Sequence, residues 1–180
     1  LIADNQTHYS FASIASDIRD RIFTVNGFAK GWAMTGWRIG YLSGNKHVIK
    51  AATALQSQST SNVCSFAQKG ALAALRGSLD CVKEMSKKYN SRRDLLTKGL
   101  QKIEGISLQA PLGAFYAFPC LPKQAPESIS FCKKALDSVG LALIPGAAFG
   151  EERCIRLSCA ASSKTIEDGL HRLKIFIDSL

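Results

Sequence analysis

The sequence of 180 residues lacks the features that mark membrane-spanning, zinc-binding and disulfide-rich proteins. No apolar run reaches the roughly 18–20 residues that a transmembrane helix requires, and no signal peptide opens the chain. The six cysteines are irregularly spaced, form no CxxC pair and lie partly within apolar runs. We therefore expect reduced cysteines in a reducing compartment. The isolated histidines, His8, His47 and His171, show no ligand spacing with the cysteines, so no metal site is expected.

The largest compositional signal is a formal net charge of +9 at pH 7. Such a charge can indicate an anionic partner: a nucleic acid, a membrane surface or a phosphorylated cofactor. The basic residues are dispersed among acidic and apolar positions, as on solvated helix faces; examples are Lys83, Lys87, Lys88, Arg92, Arg93, Lys98, Lys102, Lys133, Lys134, Arg172 and Lys174. No zinc-finger, RNP or KH signature accompanies them. We therefore expect neither a nucleic-acid nor a membrane partner.

Strand and helix patterns alternate along the chain, which predicts an α/β or α+β fold. The predicted strands cover residues 22–25, 38–42, 114–119, 141–144 and 154–159. The predicted helices cover residues 46–58, 65–75, 80–103, 128–138 and 163–176, with Gly77 closing the second. The helix that begins at Asp80 is expected to change domain partway. We accordingly predict domains over residues 1–79 and 80–180.

The most specific segment is NGFAKGWAMTGWRIGY, residues 26–41, in which one lysine and one arginine lie among glycines and large aromatic residues. The apolar run before it predicts a buried strand, so we expect Lys30 in a tight loop just after that strand. Partial desolvation in such a loop favours the neutral amine, which is the form that attacks a carbonyl and makes a Schiff base.

This segment resembles the lysine motif of the fold-type-I, pyridoxal-phosphate-dependent aminotransferases, and more narrowly the bacterial and plastid type of aspartate aminotransferase. The resemblance implies an α/β fold: the end of a large three-layer αβα domain, followed by a complete small α+β domain. It implies that pyridoxal phosphate is the cofactor, that Lys30 binds its aldehyde as a Schiff base and that Arg38 pairs with its phosphate. A planar, permanently charged guanidinium suits that last role.

Arg156 is the second informative charge, because Ile155 and Leu157 on either side of it predict a strand. An arginine that is half buried in a strand needs an anion, and a structural ion pair is the alternative to a ligand. The family has an arginine in a similar strand of its small domain, where it binds the substrate α-carboxylate. The resemblance implies that role for Arg156, although Cys159 stands where tyrosine is usual.

Three further segments match landmarks of the family. Residues 113–116 (GAFY) enter the small domain, where core packing is the expected role of the aromatic residues. Residues 145–150 (PGAAFG) match a loop that we expect near the mouth of the active site. Residues 59–62 (STSN) resemble a segment that reaches the neighbouring subunit's cofactor phosphate in dimeric relatives, with helix capping as the alternative. A homodimer is therefore expected.

The resemblance also implies that this sequence is the C-terminal portion of a longer polypeptide. The family's aspartate for the ring nitrogen, followed three positions later by a tyrosine, precedes the lysine. Asp4 has Thr7 at the tyrosine position and lies too close to Lys30, so we do not assign it. The phosphate-cradling loop has no counterpart either. We expect this portion alone to bind the cofactor poorly and to be inactive, and the targeting segment of a cytoplasmic or plastid protein to precede it.

Three functions remain open from the sequence. The first is a transaminase that moves an amino group between aspartate, or a related amino acid, and a 2-oxo acid. The second is another fold-type-I enzyme, such as a carbon–sulfur lyase or synthase, which would use Lys30, Arg38 and Arg156 equally. The third is a non-catalytic domain kept for dimerisation or binding. Side-chain specificity is not predicted, because no arginine stands just before Ser61 and Asn62 as in the animal-type enzymes.

Overall fold

The computed structural model describes residues 2–3 and 6–180, so Asp4 lies outside the described residues. The chain divides into two units, one of Thr7–Glu84 and the other of Met85–Leu180 together with the described residues before Thr7. The division falls inside the longest helix. Within the described residues, no helix combines the length and the apolar character needed to span a bilayer.

The unit Thr7–Glu84 contains one pair of strands and the helices that follow it. Its elements are α1 (Phe11–Ile14), a 3-10 turn (Ser16–Arg21), β1 (Thr24–Gly27), β2 (Gly40–Ser43), α2 (Lys46–Ser59), α3 (Ser65–Arg76) and the start of α4 (Asp80–Leu100). The two strands pair antiparallel, with Thr24 opposite Ser43 and Gly27 opposite Gly40. Gly77 is the C-cap residue of α3, as predicted.

The predicted burial of the first strand is wrong for this chain. Ile22 is buried, but β1 begins after it, and Val25 within β1 is 80% exposed. All four residues of β2 are exposed as well. The physical reason is that the described part of this unit supplies a sheet of two strands only, so neither strand is covered on both faces.

The second unit packs three helices and a small antiparallel sheet around one core. After α4 come β3 (Tyr116–Ala117), α5 (Ser128–Val139), β4 (Ile144–Pro145), a 3-10 turn (Gly146–Phe149), β5 (Ile155–Ser158) and α6 (Ser163–Asp178). The strand order is β3-β5-β4, with β5 in the centre. The predicted loop over residues 145–150 thus contains a helical turn, and the predicted strand over residues 114–119 is regular only at Tyr116–Ala117.

The core of this unit explains why its helices form and where β5 lies. Leu100 of α4, Phe131 of α5, Ile155 of β5 and Leu173 of α6 are each 0% exposed. Burying such side chains contributes about 1.5–3 kcal/mol each. A Cβ added to Gly99 would collide with the side chain of Leu170, so α4 and α6 approach closely there. The core therefore fixes one face of β5, the strand that carries Arg156 on its other face.

Local signals set the ends of these helices. The Ser162 hydroxyl accepts a hydrogen bond from the Thr165 N–H at 3.1 Å, which caps the N-terminus of α6. The C-cap of α5 is Gly140, whose φ of 62° lies in the left-handed region that glycine adopts without strain. The predicted helices are confirmed to within three residues at each end.

Candidate functional site

The loop that carries Lys30 joins β1 to β2 and folds back on itself around Phe28. The Phe28 N–H donates to the Ile39 carbonyl at 3.3 Å, and the Met34 N–H donates to the Phe28 carbonyl at 3.4 Å. Phe28 and Met34 are buried and share a small core with Ala71 of α3. The loop is thus anchored to α3 through its apolar side chains, while its polar side chains are left outside that core.

Lys30 lies just after β1, as predicted, and its side chain is exposed. Its carbonyl accepts a hydrogen bond from the Ala33 N–H at 3.2 Å. The expected partial desolvation of the amine is not observed in this chain. Phe28 and Trp32, the aromatic residues on either side, pack against each other with ring centroids 5.2 Å apart rather than around the lysine. The loop therefore presents the amine to solvent.

Arg38 adopts a backbone conformation that residues other than glycine rarely use. Its φ of 50° and ψ of 47° lie in the left-handed region, at a cost of about 1–2 kcal/mol. The guanidinium Nη1 donates to the Thr35 carbonyl at 2.8 Å, and the side chain is otherwise exposed. Trp37, directly before it, packs over Gly70 of α3 and edge-on to Phe66. Strained residues of this kind persist where neighbours determine them, and they cluster at functional sites.

Two glycines allow the ends of the loop to meet. Gly27 and Gly40 lie opposite each other in the β1–β2 register. A Cβ on Gly40 would lie 2.8 Å from the Asn26 carbonyl oxygen, and one on Gly27 would lie 3.1 Å from the Ile39 carbonyl oxygen. Gly31 and Gly36 differ, because a Cβ there would meet no atom within 4 Å. Gly27 and Gly40 therefore allow the two strands to approach closely, whereas Gly31 and Gly36 leave open space beside the loop.

The two tryptophans pack, as expected, but Trp32 carries an unsatisfied group. Its indole N–H is buried and has no hydrogen-bond acceptor among the residues that the structure describes. A buried donor left in that state costs about 1–3 kcal/mol. An acceptor supplied from outside the described residues would therefore stabilise this loop.

Arg156, in the middle of β5, lies between two aromatic rings. Its guanidinium carbon is 4.5 Å from the centroid of Tyr116 and 4.7 Å from that of Phe149. The side chain is half buried. No carboxylate of the described residues pairs with the guanidinium, so the structural ion pair left open by the sequence is not found there. The two rings orient the charge without neutralising it.

The sheet register and the turn before β5 place these two rings. Tyr116 pairs with Ser158, and residues two apart on a strand share a face, so Tyr116 lies beside Arg156. Phe149 ends the turn Gly146–Phe149, which is tied to α5 because the Ala147 N–H donates to the Ser128 hydroxyl at 3.1 Å. The sequence suggested only core packing for Tyr116. It placed the loop 145–150, which contains Phe149, near the mouth of the active site but did not predict its contact with Arg156. The contact of Tyr116 could not be found without the strand pairing.

Cys159, which directly follows β5, is fully buried in the core of this unit. Its Sγ lies 4.0 Å from the Tyr89 carbonyl oxygen of α4, and burial raises the pKa of this thiol. Arg93 of α4 is also buried and donates to the Asn90 side-chain carbonyl at 2.9 Å. The residue directly after β5 is thus a small thiol enclosed by the core of this unit.

The structure places the predicted site residues in two units. Lys30 and Arg38 belong to one loop of Thr7–Glu84, and Arg156 belongs to Met85–Leu180. The segment 59–62 is exposed, with Ser61 at a φ of 63°. Ser59 is the last residue of α2 and Thr60 is its C-cap residue. The Ser59 hydroxyl donates to the Leu55 carbonyl at 3.1 Å, so the helix-capping alternative is observed at the C-terminus of α2. No group of three or more potential metal ligands is found among the described residues.

Comparisons with known proteins match this geometry to one family. A family model described as aminotransferase class I and II matches residues 3–173. A bifunctional aspartate aminotransferase and glutamate/aspartate-prephenate aminotransferase from Petunia hybrida is 44% identical over 181 residues, covering 93% of this chain and 38% of that protein. An aspartate aminotransferase from Pinus pinaster is 41% identical over 180 residues, covering 93% of this chain and 36% of that protein.

Solved structures give the same result. The aspartate aminotransferase of Rhizobium meliloti superposes with a TM-score of 0.93 at 34% identity, covering 98% of this chain and 47% of that one. An aromatic aminotransferase from Pyrococcus horikoshii superposes with a TM-score of 0.93 at 33% identity, covering 99% and 48%. These similarities confirm the resemblance and the predicted fold class. The chain spans less than half the length of each relative.

Gly40→Ala should destabilise the loop that carries Lys30. The new methyl group would press on the Asn26 carbonyl, and overpacking of this kind costs about 1–3 kcal/mol. Gly36→Ala is the matched control in the same loop, where the methyl group enters open space and the change should stay within about 0.5 kcal/mol. Urea unfolding followed by tryptophan fluorescence measures both. Equal losses of stability in the two variants would contradict the close approach of β1 and β2.

Proposed function

Because the chain belongs to the class I and II aminotransferases, we propose that its full-length protein is a pyridoxal-phosphate-dependent transaminase. It transfers an amino group between an amino acid and a 2-oxo acid. The observation that carries the proposal is the loop between β1 and β2, which exposes the Lys30 amine and holds Arg38 in the left-handed region. One short segment thereby provides a nucleophile and a fixed cation.

The chemistry of these two side chains fits pyridoxal phosphate. A lysine amine forms a Schiff base with an aldehyde, and a guanidinium pairs with a phosphate through parallel hydrogen bonds. The space beside Gly31 and Gly36 leaves room for a ligand against the backbone. When bound, the cofactor supplies an electron sink for the charge that develops at the amino acid's α-carbon. We assign the acidic partner of its ring nitrogen to the rest of the full-length protein, because no matching motif occurs in this sequence.

Lys30 has a second role in this proposal. Its Nζ, as a neutral amine, removes the proton from the α-carbon of the amino acid and later returns a proton on the way to the 2-oxo acid. Exclusion of water favours the neutral form of a lysine amine. We assign the cover over Lys30, whose side chain is exposed in this chain, to the rest of the full-length protein.

Arg156 is proposed to bind the α-carboxylate that every amino acid and 2-oxo acid substrate shares. The support is its half-buried guanidinium, which the described residues leave without a carboxylate, between the rings of Tyr116 and Phe149. The planar fork of an arginine makes two parallel hydrogen bonds to a carboxylate. The rings of Tyr116 and Phe149 restrict the rotation of the Arg156 guanidinium group, so less conformational entropy is lost when the substrate binds.

The proposed substrates are aspartate, or a related amino acid, and a 2-oxo acid. Relatives named as aspartate aminotransferases support this choice. The similarity to an aromatic aminotransferase makes aromatic amino acids the competing donors.

The first test is an assay of the full-length protein with aspartate and 2-oxoglutarate, and with phenylalanine in place of aspartate. Release of a thiol from a sulfur-containing amino acid, without amino transfer, would instead identify a lyase.

We also propose that the full-length protein is a homodimer of the cytoplasm or of plastids. The exposed segment 59–62, with Ser61 strained, supports a contact with a neighbouring subunit. The exposed apolar residues of Thr7–Glu84, such as Phe11, Leu55 and Phe66, support burial against further protein. Imaging of the tagged full-length protein tests the location, which a signal outside these compartments would contradict.

Lys30→Ala in the full-length protein should lower kcat by roughly 1,000-fold or more, because it removes both the nucleophile and the proton-transfer group. Reduction with borohydride should fix the cofactor on residues 22–38 of the wild-type protein, the tryptic peptide that results when Lys30 is modified. Lys50→Ala, at an exposed position of α2, is the control and should behave as the wild type. If borohydride still fixed the cofactor on residues 22–38 of Lys30→Ala, the role assigned to Lys30 would be wrong.

Arg156→Lys should raise KM for the amino acid and for the 2-oxo acid alike, because both offer the same carboxylate. Lysine offers a point charge, whereas arginine offers two parallel N–H donors. The loss of one hydrogen bond to a charged group should lower kcat/KM by roughly 10- to 100-fold. Arg172→Lys, at a surface ion pair on α6, is the control and should leave both constants unchanged. A change confined to one substrate would point to a side-chain role for Arg156 instead.

The full-length protein should sediment as a dimer.

Ser61→Asp adds a negative charge to a segment that is proposed to face a phosphate, so it should weaken the binding of pyridoxal phosphate by like-charge repulsion. Ser57→Asp, on the exposed surface of α2, is the control. Analytical ultracentrifugation and a titration with the cofactor measure the two effects. A monomer that binds the cofactor normally would refute the role given to residues 59–62.

A further inference from the structure

Cys120 and Cys154 face each other across an isolated antiparallel bridge, outside the residues assigned to the proposed reaction. Their Sγ atoms lie 2.8 Å apart, and both are free thiols. Cys120 is exposed, whereas Cys154 is only 3% exposed. One sulfur of the pair can therefore be reached from solvent, and the other lies beneath it.

The backbone holds this pair in the arrangement that brings side chains closest. The Leu121 N–H donates to the Arg153 carbonyl at 2.8 Å, and the Ile155 N–H donates to the Pro119 carbonyl at 3.1 Å. These two bonds flank the cysteines, so Cys120 and Cys154 form a non-hydrogen-bonded pair. The Cα atoms of such pairs are about 4.5 Å apart, which lies within the 4.4–6.8 Å or so that disulfides span.

The surroundings keep both segments in place. The Cys120 N–H donates to the Ser107 carbonyl at 2.8 Å. The Arg153 guanidinium donates to the carbonyls of Pro122 and Ala125. Pro119 and Pro122, on either side of Cys120, are fully buried. The hydrogen-bonded backbone thus holds Cys120 and Cys154 side by side, and this arrangement brings their sulfur atoms into contact.

We propose that Cys120 and Cys154 are a thiol-modification site, at which a small-molecule disulfide reversibly converts the two thiols into an intramolecular disulfide. This proposal does not depend on the transaminase activity. It is compatible with reduced cysteines as the resting state, because disulfides in reducing compartments are transient and redox-sensing.

The exposures of the two thiols set the order of the steps. Burial and the hydrogen bond shared with Cys120 raise the pKa of Cys154 to about 12, so Cys154 stays protonated. The Cys120 thiolate attacks one sulfur of the small disulfide, forms a mixed disulfide and releases one small thiolate. Cys154 then loses its proton, attacks the Cys120 sulfur and releases the second thiolate. Two protein thiols are oxidised, and one small disulfide is reduced to two thiols.

The new bond would tie β5 to the segment after β3. The closed loop contains α5, β4 and the turn that ends at Phe149. Cross-linking of this kind restricts the unfolded chain more than the folded one. Oxidation should therefore raise the thermal midpoint of the unit by roughly 10 °C or more with little movement of the folded backbone.

Full-length protein incubated with oxidised glutathione provides the test. Trypsin places Cys120 on residues 103–123 and Cys154 on residues 154–156, each with no other cysteine. After alkylation of the remaining thiols, the linked pair of these peptides should appear in the mass spectrum and should disappear with dithiothreitol. The thermal midpoint should rise on oxidation and fall back on reduction.

Cys120→Ser is the decisive variant, since an exposed position tolerates serine, and it should lose both the linked peptide and the shift. Cys81→Ser removes another exposed cysteine and should keep both. Glutathione attached to residues 103–123 without the cross-link would overturn the proposal, as would a cross-link found only in dimers on a non-reducing gel.

Discussion

The unit Met85–Leu180 depends on the burial of one face of β5. Ile155 is fully enclosed by the core that α4, α5 and α6 form, and β5 is hydrogen-bonded on both edges, to β3 and to β4. Because side chains alternate along a strand, that burial turns Arg156 to the opposite face. A slip of one residue would put the guanidinium into the core, where an unpaired charge costs several kcal/mol. The hydrophobic core therefore determines on which face of β5 Arg156 lies.

The unit Thr7–Glu84 follows a different constraint, since its candidate residues lie on a loop rather than on a central strand. The close approach of Gly27 and Gly40 closes the loop, and the burial of Phe28 and Met34 fixes it to α3. These contacts leave the charged side chains outside. The side chain of Lys30 is exposed, so the loop positions this lysine without burying it.

The sequence predicted those features that depend on local pattern. The amphipathic periodicity of the sequence predicted the helices α2 to α6. The apolar residues near Lys30 and Arg156 predicted that Lys30 follows a strand and that Arg156 lies within one. The exposure of Val25 was missed because burial of a strand residue depends on what packs against that face of the sheet, which the local sequence does not show. The contact of Tyr116 with Arg156 and that of Cys120 with Cys154 were missed for a related reason: both arise from strand pairing between segments that are distant in sequence.

The aromatic surroundings of Arg156 also bear on why it has no acidic partner. A carboxylate in the position of Tyr116 or Phe149 would hold the guanidinium firmly, but a substrate carboxylate would then have to compete with it. Each ring instead contributes about 0.5–2 kcal/mol of cation–π attraction. The rings stabilise the guanidinium without pairing it with a carboxylate, an arrangement that supports the ligand-binding role proposed for Arg156 over structural pairing.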